Sequence, residues 1–332
     1  MDKSDNGNIL LEIKNLRVHY ETREYVYEAA NGVSLKIERG KTLGLVGETG
    51  AGKTTIAKAI MGLLPFPPTN ILEGEILFEG EDLLKKNKAE MQKIRGRKIS
   101  MIFQDPMTAL NPTVRVIDQV AEVIKLHDNV NKHEAKRKAA EALKMVGIQE
   151  DRIFEYPHQF SGGMKQRVII AIALACRPDL IIADEPTTAL DVTIQAQVLK
   201  LIKELQMEIN TAMLLITHDF GIVARTCDTC AVIYAGEIVE FGTVEDIFRN
   251  RQHPYTRGLF DSIPILDKDV RRLAPIPGLA SDPTDLPEYC SFYDRCGARC
   301  DECKKCNPAA VEVSPGHFVK CVHAKSMETA KE

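Results

Sequence analysis

Gly47-Glu48-Thr49-Gly50-Ala51-Gly52-Lys53-Thr54 is a glycine-rich run that closes on a lysine and a hydroxyl. Glycines let successive backbone N–H groups curl around a phosphate, and a helix starting at the lysine adds its dipole and its free donors. Lys53 supplies a point charge for the β- and γ-phosphates of a nucleotide, and the Thr54 hydroxyl is a Mg²⁺ ligand. A second run, Leu180 to Glu185, is an apolar strand that ends in two acids. A strand carries Asp184 to the carboxyl edge of its sheet, where it holds Mg²⁺ through water. Glu185, one residue further on, polarises an attacking water as general base. A strand ending in two solvated acids explains the same residues when no phosphate loop lies upstream.

These groups need strands before them and helices after them. Thr42–Val46 reads as a short buried strand, and Ile56 and Ile60 stripe a helix that runs to Gly62. Leu10–Val18 and Val33–Ile37 alternate as strands, and Glu75–Phe78 reads as a hairpin arm closed by Glu79-Gly80. Leu180–Ala183, Met213–Ile216 and Ala231–Tyr234 are further strands. Ala135, Ala139, Ala142, Leu143 and Val146 share one helix face, and Gly147 can stop that helix. Val198, Leu201, Ile202, Leu205 and Ile209 stripe another. Pro65, Pro67 and Pro68 mark a loop. Alternating strands and helices predict an α/β fold. After about residue 253 proline becomes frequent and periodicity fades, so a boundary is expected near Arg251–His253, with a frayed tail over Ala324–Glu332.

Length and charge bound the function. The chain has 332 residues, 44% of them apolar and 27% charged, which suits about two globular domains. With 43 basic and 47 acidic residues the net charge is −4, which disfavours nucleic-acid binding. The start lacks a signal-peptide pattern, and the longest apolar run, Val168–Cys176, is far short of the ~20 residues that span a bilayer. Any membrane work is expected to go through a partner.

Between the phosphate loop and the acids lies Ser161-Gly162-Gly163-Met164-Lys165-Gln166. A capped helix after a glycine turn would account for it alone. The order of motifs says more: phosphate loop, Gln104, Ser-Gly-Gly, Asp-Glu, Ala189-Leu190-Asp191 and His218. In that order, over about residues 8–250, the chain resembles the ATP-binding-cassette (ABC) ATPases. The resemblance implies a P-loop NTPase cassette with a RecA-like core sheet, an antiparallel β subdomain and a helical subdomain at about 105–178. It implies ATP held by Gly47, Thr49, Gly50, Ala51, Gly52, Lys53, Thr54 and Thr55, with Mg²⁺ on Thr54 and Gln104 and, through water, on Asp184. It makes Glu185 the catalytic base, His218 the switch histidine, and Gln104 the glutamine that completes the metal and water site and senses a membrane partner. Ser161, Gly162, Gly163 and Asp191 would act in trans, on a nucleotide held by a second subunit. Tyr20 best matches the adenine-stacking aromatic, with Tyr27 as the alternative. Phe160 and Met164 depart from the usual signature, beside the phosphate contacts rather than in them.

Cysteine is concentrated at the end. Of nine, Cys176, Cys227 and Cys230 come early and Cys290, Cys296, Cys300, Cys303, Cys306 and Cys321 late. No secretory signal accompanies them, so a metal site is favoured over disulfides. His253-Pro254-Tyr255-Thr256-Arg257, Pro275-Ile276-Pro277-Gly278, and the cysteines up to Ser314-Pro315-Gly316 and Cys321 resemble the extension of dipeptide and oligopeptide importer ATPases. That resemblance implies a cassette over 1–253 and a small irregular metal-binding module over 254–332, with a [4Fe–4S] cluster on Cys290, Cys296, Cys303 and Cys321. Spacing alone leaves Cys300, Cys303, Cys306 and Cys321 as a competing set, and zinc as a competing metal. Cys227 and Cys230 read as core or surface thiols. The importer resemblance also implies a second, related ABC ATPase, two transmembrane permeases, an extracytoplasmic substrate-binding protein and a place on the cytoplasmic membrane face. The loop Asp105–Val116 would meet the membrane subunit. ATPases importing another solute, such as nickel, or soluble ABC ATPases of DNA repair are the alternatives. The 56 residues between Gln104 and Ser161 lack the heptads that the coiled-coil repair group needs.

Overall fold

Twelve strands are present, in chain order β1 (Ile9–Glu21), β2 (Val26–Glu38), β3 (Thr42–Val46), β4 (Thr69–Phe78), β5 (Glu81–Asp82), β6 (Ile99–Ile102), β7 (Leu180–Asp184), β8 (Ala212–Thr217), β9 (Thr229–Tyr234), β10 (Glu237–Thr243), β11 (Val311–Ser314) and β12 (His317–Val319), among the described residues. The structure is a computed structural model, and it describes residues 8–104, 109–188, 190–262 and 275–325. Contacts divide the chain into two units. One comprises Met1–Leu11, Ile37–Thr42 and Phe78–Ile216; the other comprises Glu12–Lys36, Leu43–Leu77 and Thr217–Glu332.

In the first unit β6, β7 and β8 run parallel, with Ile99 opposite Leu180 and Leu180 opposite Ala212. Every residue of the three strands is buried. That explains their unbroken apolar sequence, because a parallel sheet is covered on both faces. The helices Val116–His127, Lys132–Met145 and Gly162–Leu174 pack against one another, and the last also packs on β6 and on the helix Val192–Glu208. Val116, Ile117, Val120, Ala121 and Ile124 form the buried stripe of the first. Asn131 caps the second by accepting from Glu134 N, and Gly147, at φ +78°, lets the chain leave it.

In the second unit β3 pairs parallel with β9, and β10 and β12 add to β9 in antiparallel order, followed by β11. Ala235 and Gly236 make the β9–β10 turn with φ +46° and +77°, the two left-handed residues a tight hairpin needs. The core beneath this sheet gathers Val46, Phe220, Val223, Val232, Tyr234, Val239 and Ile247 with Tyr255 and Phe292. The stretch past residue 253 is tied into this sheet and core. Residues past 253 contribute two aromatic side chains to the cassette's core, and β11 and β12 extend its sheet from the β10 edge. Glu240 on β10 and His317 on β12 seal that edge as a buried pair, Nε2 to Oε1 2.9 Å.

Candidate active site

The phosphate loop belongs to the second unit. β3 is buried throughout and delivers the chain to Gly47; the helix Lys53–Ile60 leaves from Gly52. Gly52 has φ +98°, and a Cβ there would run into the carbonyl oxygen of Ala29 on β2. Only glycine fits that place. Gly236 N donates to Ala51 O at 3.2 Å, which ties the loop to the β9–β10 turn. No side chain caps the helix start, so its first-turn N–H groups face the loop as donors. Lys53 is buried, and its Nζ donates to Gly47 O at 2.7 Å and to Glu48 O at 2.9 Å. Tyr20 Oη lies 3.2 Å from Thr55 Oγ1, on the helix that follows the loop. Tyr27 is exposed and meets Tyr25 edge-on, so of the two aromatic candidates Tyr20 is the one hydrogen-bonded to the phosphate-loop helix. His218 is exposed, two residues before the helix Phe220–Thr226.

The carboxylates belong to the first unit. Asp184 is buried at the end of β7. Glu185 turns out of the strand with φ +46°, a left-handed conformation that costs a non-glycine residue about 1–3 kcal/mol, and its N donates to Ile216 O at 2.9 Å. Its Oε2 accepts from Gln104 Nε2 at 3.2 Å and from Thr188 Oγ1 at 2.8 Å. Gln104 and Glu185, 81 residues apart, are thus brought together. Ser161 sits at the N-cap position of the helix Gly162–Leu174 and is exposed, but its side chain makes no capping bond. Gly163 lies so near Ile194 that an added Cβ would stand 2.6 Å from Cγ2. Asp191 is exposed and caps the helix Val192–Glu208 by accepting from Ile194 N. Residues 105–108 and Ala189, parts of two predicted loops, lie outside the described residues.

In the C-terminal stretch Cys290, Cys296, Cys303 and Cys321 line one cavity, together with His253, Phe292, Tyr293, Val322 and His323. Burial pushes the Cys290 thiol up to about 11 and raises Cys296, Cys303 and Cys321 as well. Four thiols around a mostly apolar cavity fit a thiolate metal site in kind, although each must lose a proton to bind. Cys300 lies at one side, its Sγ 3.6 Å from Cys303 Sγ. Cys300, Cys303 and His323 bring three ligand atoms within 4.8 Å of one another. Cys306 is exposed. Cys230 is fully buried in the core with its thiol raised, and Cys227 packs against the same core.

Sequence reasoning passed over three residues. Gln166 is buried and donates from Nε2 to Pro186 O at 2.7 Å, tying the Ser-Gly-Gly helix to the loop after Glu185. Tyr255 stands in a motif with no role of its own, and Arg295 stands unremarked before Cys296. Tyr255 Oη accepts from Glu48 N at 3.0 Å, and Arg295 pairs with the Glu48 carboxylate. Long sequence separation hides such partners.

Comparison with known proteins agrees with these motifs. The profile of the ABC transporter family matches residues 30–188, and that of the C-terminal region of oligopeptide/dipeptide transporters matches residues 239–303. The chain is 49% identical over 314 residues to the oligopeptide transport ATP-binding protein OppD of Bacillus subtilis (strain 168), covering 94% of this chain and 88% of that one. It is 50% identical to the dipeptide transport ATP-binding protein DppD of Lactococcus lactis subsp. cremoris (strain MG1363), covering 94% and 90%. Among solved structures, the dimeric bacterial ABC transporter cassette MJ0796 superposes with a TM-score of 0.63 at 30% identity, over 70% of this chain and 98% of that one. Among the described residues no helix is long and apolar enough to cross a membrane. With a complete set of cassette motifs and the matching C-terminal region, the chain belongs to the ABC transporter ATP-binding proteins, in their oligopeptide/dipeptide branch.

Proposed function

We infer that the chain is the ATP-hydrolysing, energy-coupling subunit of an importer for dipeptides and oligopeptides. The observation that carries the cargo class is the match of residues 239–303 to the C-terminal region of oligopeptide/dipeptide transporters. The cassette motifs carry the reaction.

Lys53 and the loop's N–H groups orient the nucleotide's phosphates, and Tyr20 stacks on the adenine. Thr54, Gln104 and, through water, Asp184 hold Mg²⁺, which when bound neutralises charge on the phosphate oxygens. Glu185 accepts a proton from the water whose oxygen attacks the γ-phosphorus, as the bond to the bridging oxygen breaks and ADP leaves. The Gln104 and Thr188 bonds to Oε2 support this role, since they fix the carboxylate in one orientation. His218 stands by the γ-phosphate. Ser161, Gly162, Gly163 and Asp191 serve a nucleotide held by a second, related ATPase chain. The exposed, uncapped Ser161 hydroxyl agrees with such a contact. Two transmembrane permeases and an extracytoplasmic binding protein complete the assembly, with this chain on the cytoplasmic face.

The cysteine cavity is read as a [4Fe–4S] site on Cys290, Cys296, Cys303 and Cys321, with a structural role. Their shared cavity supports that set over the one including exposed Cys306. Zinc is the second reading, favoured by the Cys300–Cys303–His323 group.

Glu185→Gln tests the base. With the partner ATPase present, ATP turnover is expected to fall about 10²–10⁴-fold while ATP binding persists. Normal turnover by the variant removes Glu185 from the mechanism. The cargo is tested by reconstituting the chain with its permeases and binding protein, where short peptides should stimulate ATP hydrolysis. Stimulation by a metal ion or sugar alone would replace the peptide reading.

A further inference from the structure

Glu48 is an acid within a loop that binds a polyanion. Left alone, its carboxylate would repel the phosphates that Lys53 attracts. All three of its polar parts are held. Its carbonyl accepts from Lys53 Nζ at 2.9 Å, its N–H donates to Tyr255 Oη at 3.0 Å, and its carboxylate takes two bonds from Arg295. The latter run from Nη1 to Oε2 at 2.7 Å and from Nη2 to Oε1 at 3.0 Å, a bidentate pair that fixes orientation as well as charge.

Arg295 is built in rather than draped over. Its side chain is 7% exposed, its Nε donates to Pro277 O at 3.1 Å, and its guanidinium lies near the rings of Tyr234 and Phe292, 5.7 and 6.0 Å from their centroids. It ends the short 3₁₀ turn Tyr293–Arg295, whose next residue is Cys296; Cys296 N donates to Tyr293 O at 3.1 Å. The backbone that sets one cavity thiol therefore also sets the guanidinium on the phosphate loop.

We propose that Arg295 is a positioning residue for ATP: it neutralises and orients Glu48, so that the phosphate affinity of the loop depends on the cysteine-bearing C-terminal segment. This rests on ATP binding at Lys53, and it holds whichever metal the cysteines take. Removing the guanidinium leaves Glu48 charged beside the phosphates; removing both charges leaves nothing to repel them.

Equilibrium titration of the full-length chain with fluorescent ATP, alongside steady-state kinetics with its partner ATPase, tests this. Arg295→Gln should bind ATP about tenfold more weakly, with the loss in KM rather than kcat. Glu48→Gln combined with Arg295→Gln should return the affinity to within about threefold of wild type. Arg295→Lys, which keeps the charge, should fall between. Thermal melting identifies any variant that fails to fold, and the Lys/Gln comparison then carries the test. Wild-type affinity in a folded Arg295→Gln protein would overturn the proposal, as would a double variant no better than the single one, since that marks a purely structural contact. Undiminished ATP binding by Lys53→Ala is a separate failure, that of the phosphate-loop assignment itself.

Discussion

The phosphate loop and the cysteine cavity lie in the same compact unit and are built by opposite means. The loop is eight contiguous residues whose shape follows from local rules: a buried strand, glycines where no Cβ fits, a helix start. The cavity is lined from three separate stretches: His253 and Pro254, Cys290 to Cys303, and Pro308 to His323. Its residues are gathered by packing on a core that the cassette supplies, through Phe292 against Tyr234 and Tyr255. A locally coded site fails through a single atom, whereas one assembled on a borrowed core fails through loss of the sheet edge beneath it.

The sharpest way to break that contrast is Gly52→Ala. The added methyl meets the Ala29 carbonyl and places a side chain at φ +98°. Loop and helix start must shift together, and with them the N–H donors. ATP affinity is expected to fall at least about 100-fold, well beyond the Arg295→Gln effect, with the overall fold kept. Calorimetric titration measures it. A variant that binds ATP normally would mean that the loop tolerates a shape other than the one its glycines impose.

The same contrast decides what the sequence made legible. Thr42–Val46 is read to the residue because all five residues are buried and flanked by turn-formers. Val33–Ile37 finds only the half of β2 where burial alternates; from Val26 to Glu28 the strand is exposed or half-exposed and carries no periodic signal. The stripe on Val116–His127 obeys helical spacing and was within reach of the pattern. β11 and β12 were out of reach. They are four and three residues long and lie among prolines and glycines; β11 pairs only with β12, and β12 is anchored on β10 about 78 residues earlier in the chain, Phe318 opposite Phe241 and Val319 opposite Glu240. At the end of β7, Asp184 and Glu185 were legible as motif members, as was Gln104, but the bond between Gln104 and Glu185 was not. Arg295 was hidden for the same reason, its partner Glu48 being 247 residues away.

The borrowed edge should respond to pH. His253 is buried, with Nδ1 accepting from Tyr255 N at 3.1 Å, and burial lowers its pKa from 6.5 to about 4. Below pH 6.5 the unfolded chain therefore binds a proton that the folded chain refuses. The stabilisation is complete above pH 6.5 and is lost as pH falls through about 4, to a total of about 3 kcal/mol. Burial raises the Glu240 carboxyl, but the bonds from His317 and from the Gln252 and His253 amides outweigh it and hold the pKa below the usual carboxylate range. A second loss therefore begins as pH drops below about 4.5 and through the lowered value. Denaturant unfolding at pH 7.5 and 5.0 should show the histidine part, and His253→Asn, which keeps the acceptor at the helix start, should flatten it. Equal stability at both pH values would mean that the edge opens to water before it titrates.

The smallest expected effect sharpens the comparison most finely, because it separates two sites that share Cys303. If the cavity cysteines hold an iron–sulfur cluster, the purified chain carries iron and visible absorption. Cys296→Ser should then lose both, and Cys300→Ser should keep both, since Cys300 stands at the side of the cavity rather than among its lining residues. If the metal is zinc on Cys300, Cys303 and His323, the pattern inverts: no colour, zinc lost in Cys300→Ser and kept in Cys296→Ser. The inversion is physically meaningful because the two sets differ in depth. Cys290 and Cys296 sit against the aromatic core, where burial raises their thiols and a metal must displace protons at a cost, while His323 is exposed. A cluster in the cavity therefore ties the C-terminal segment to the cassette core that also holds Arg295. Zinc at the rim would brace the segment's surface and leave that core as packing alone has made it.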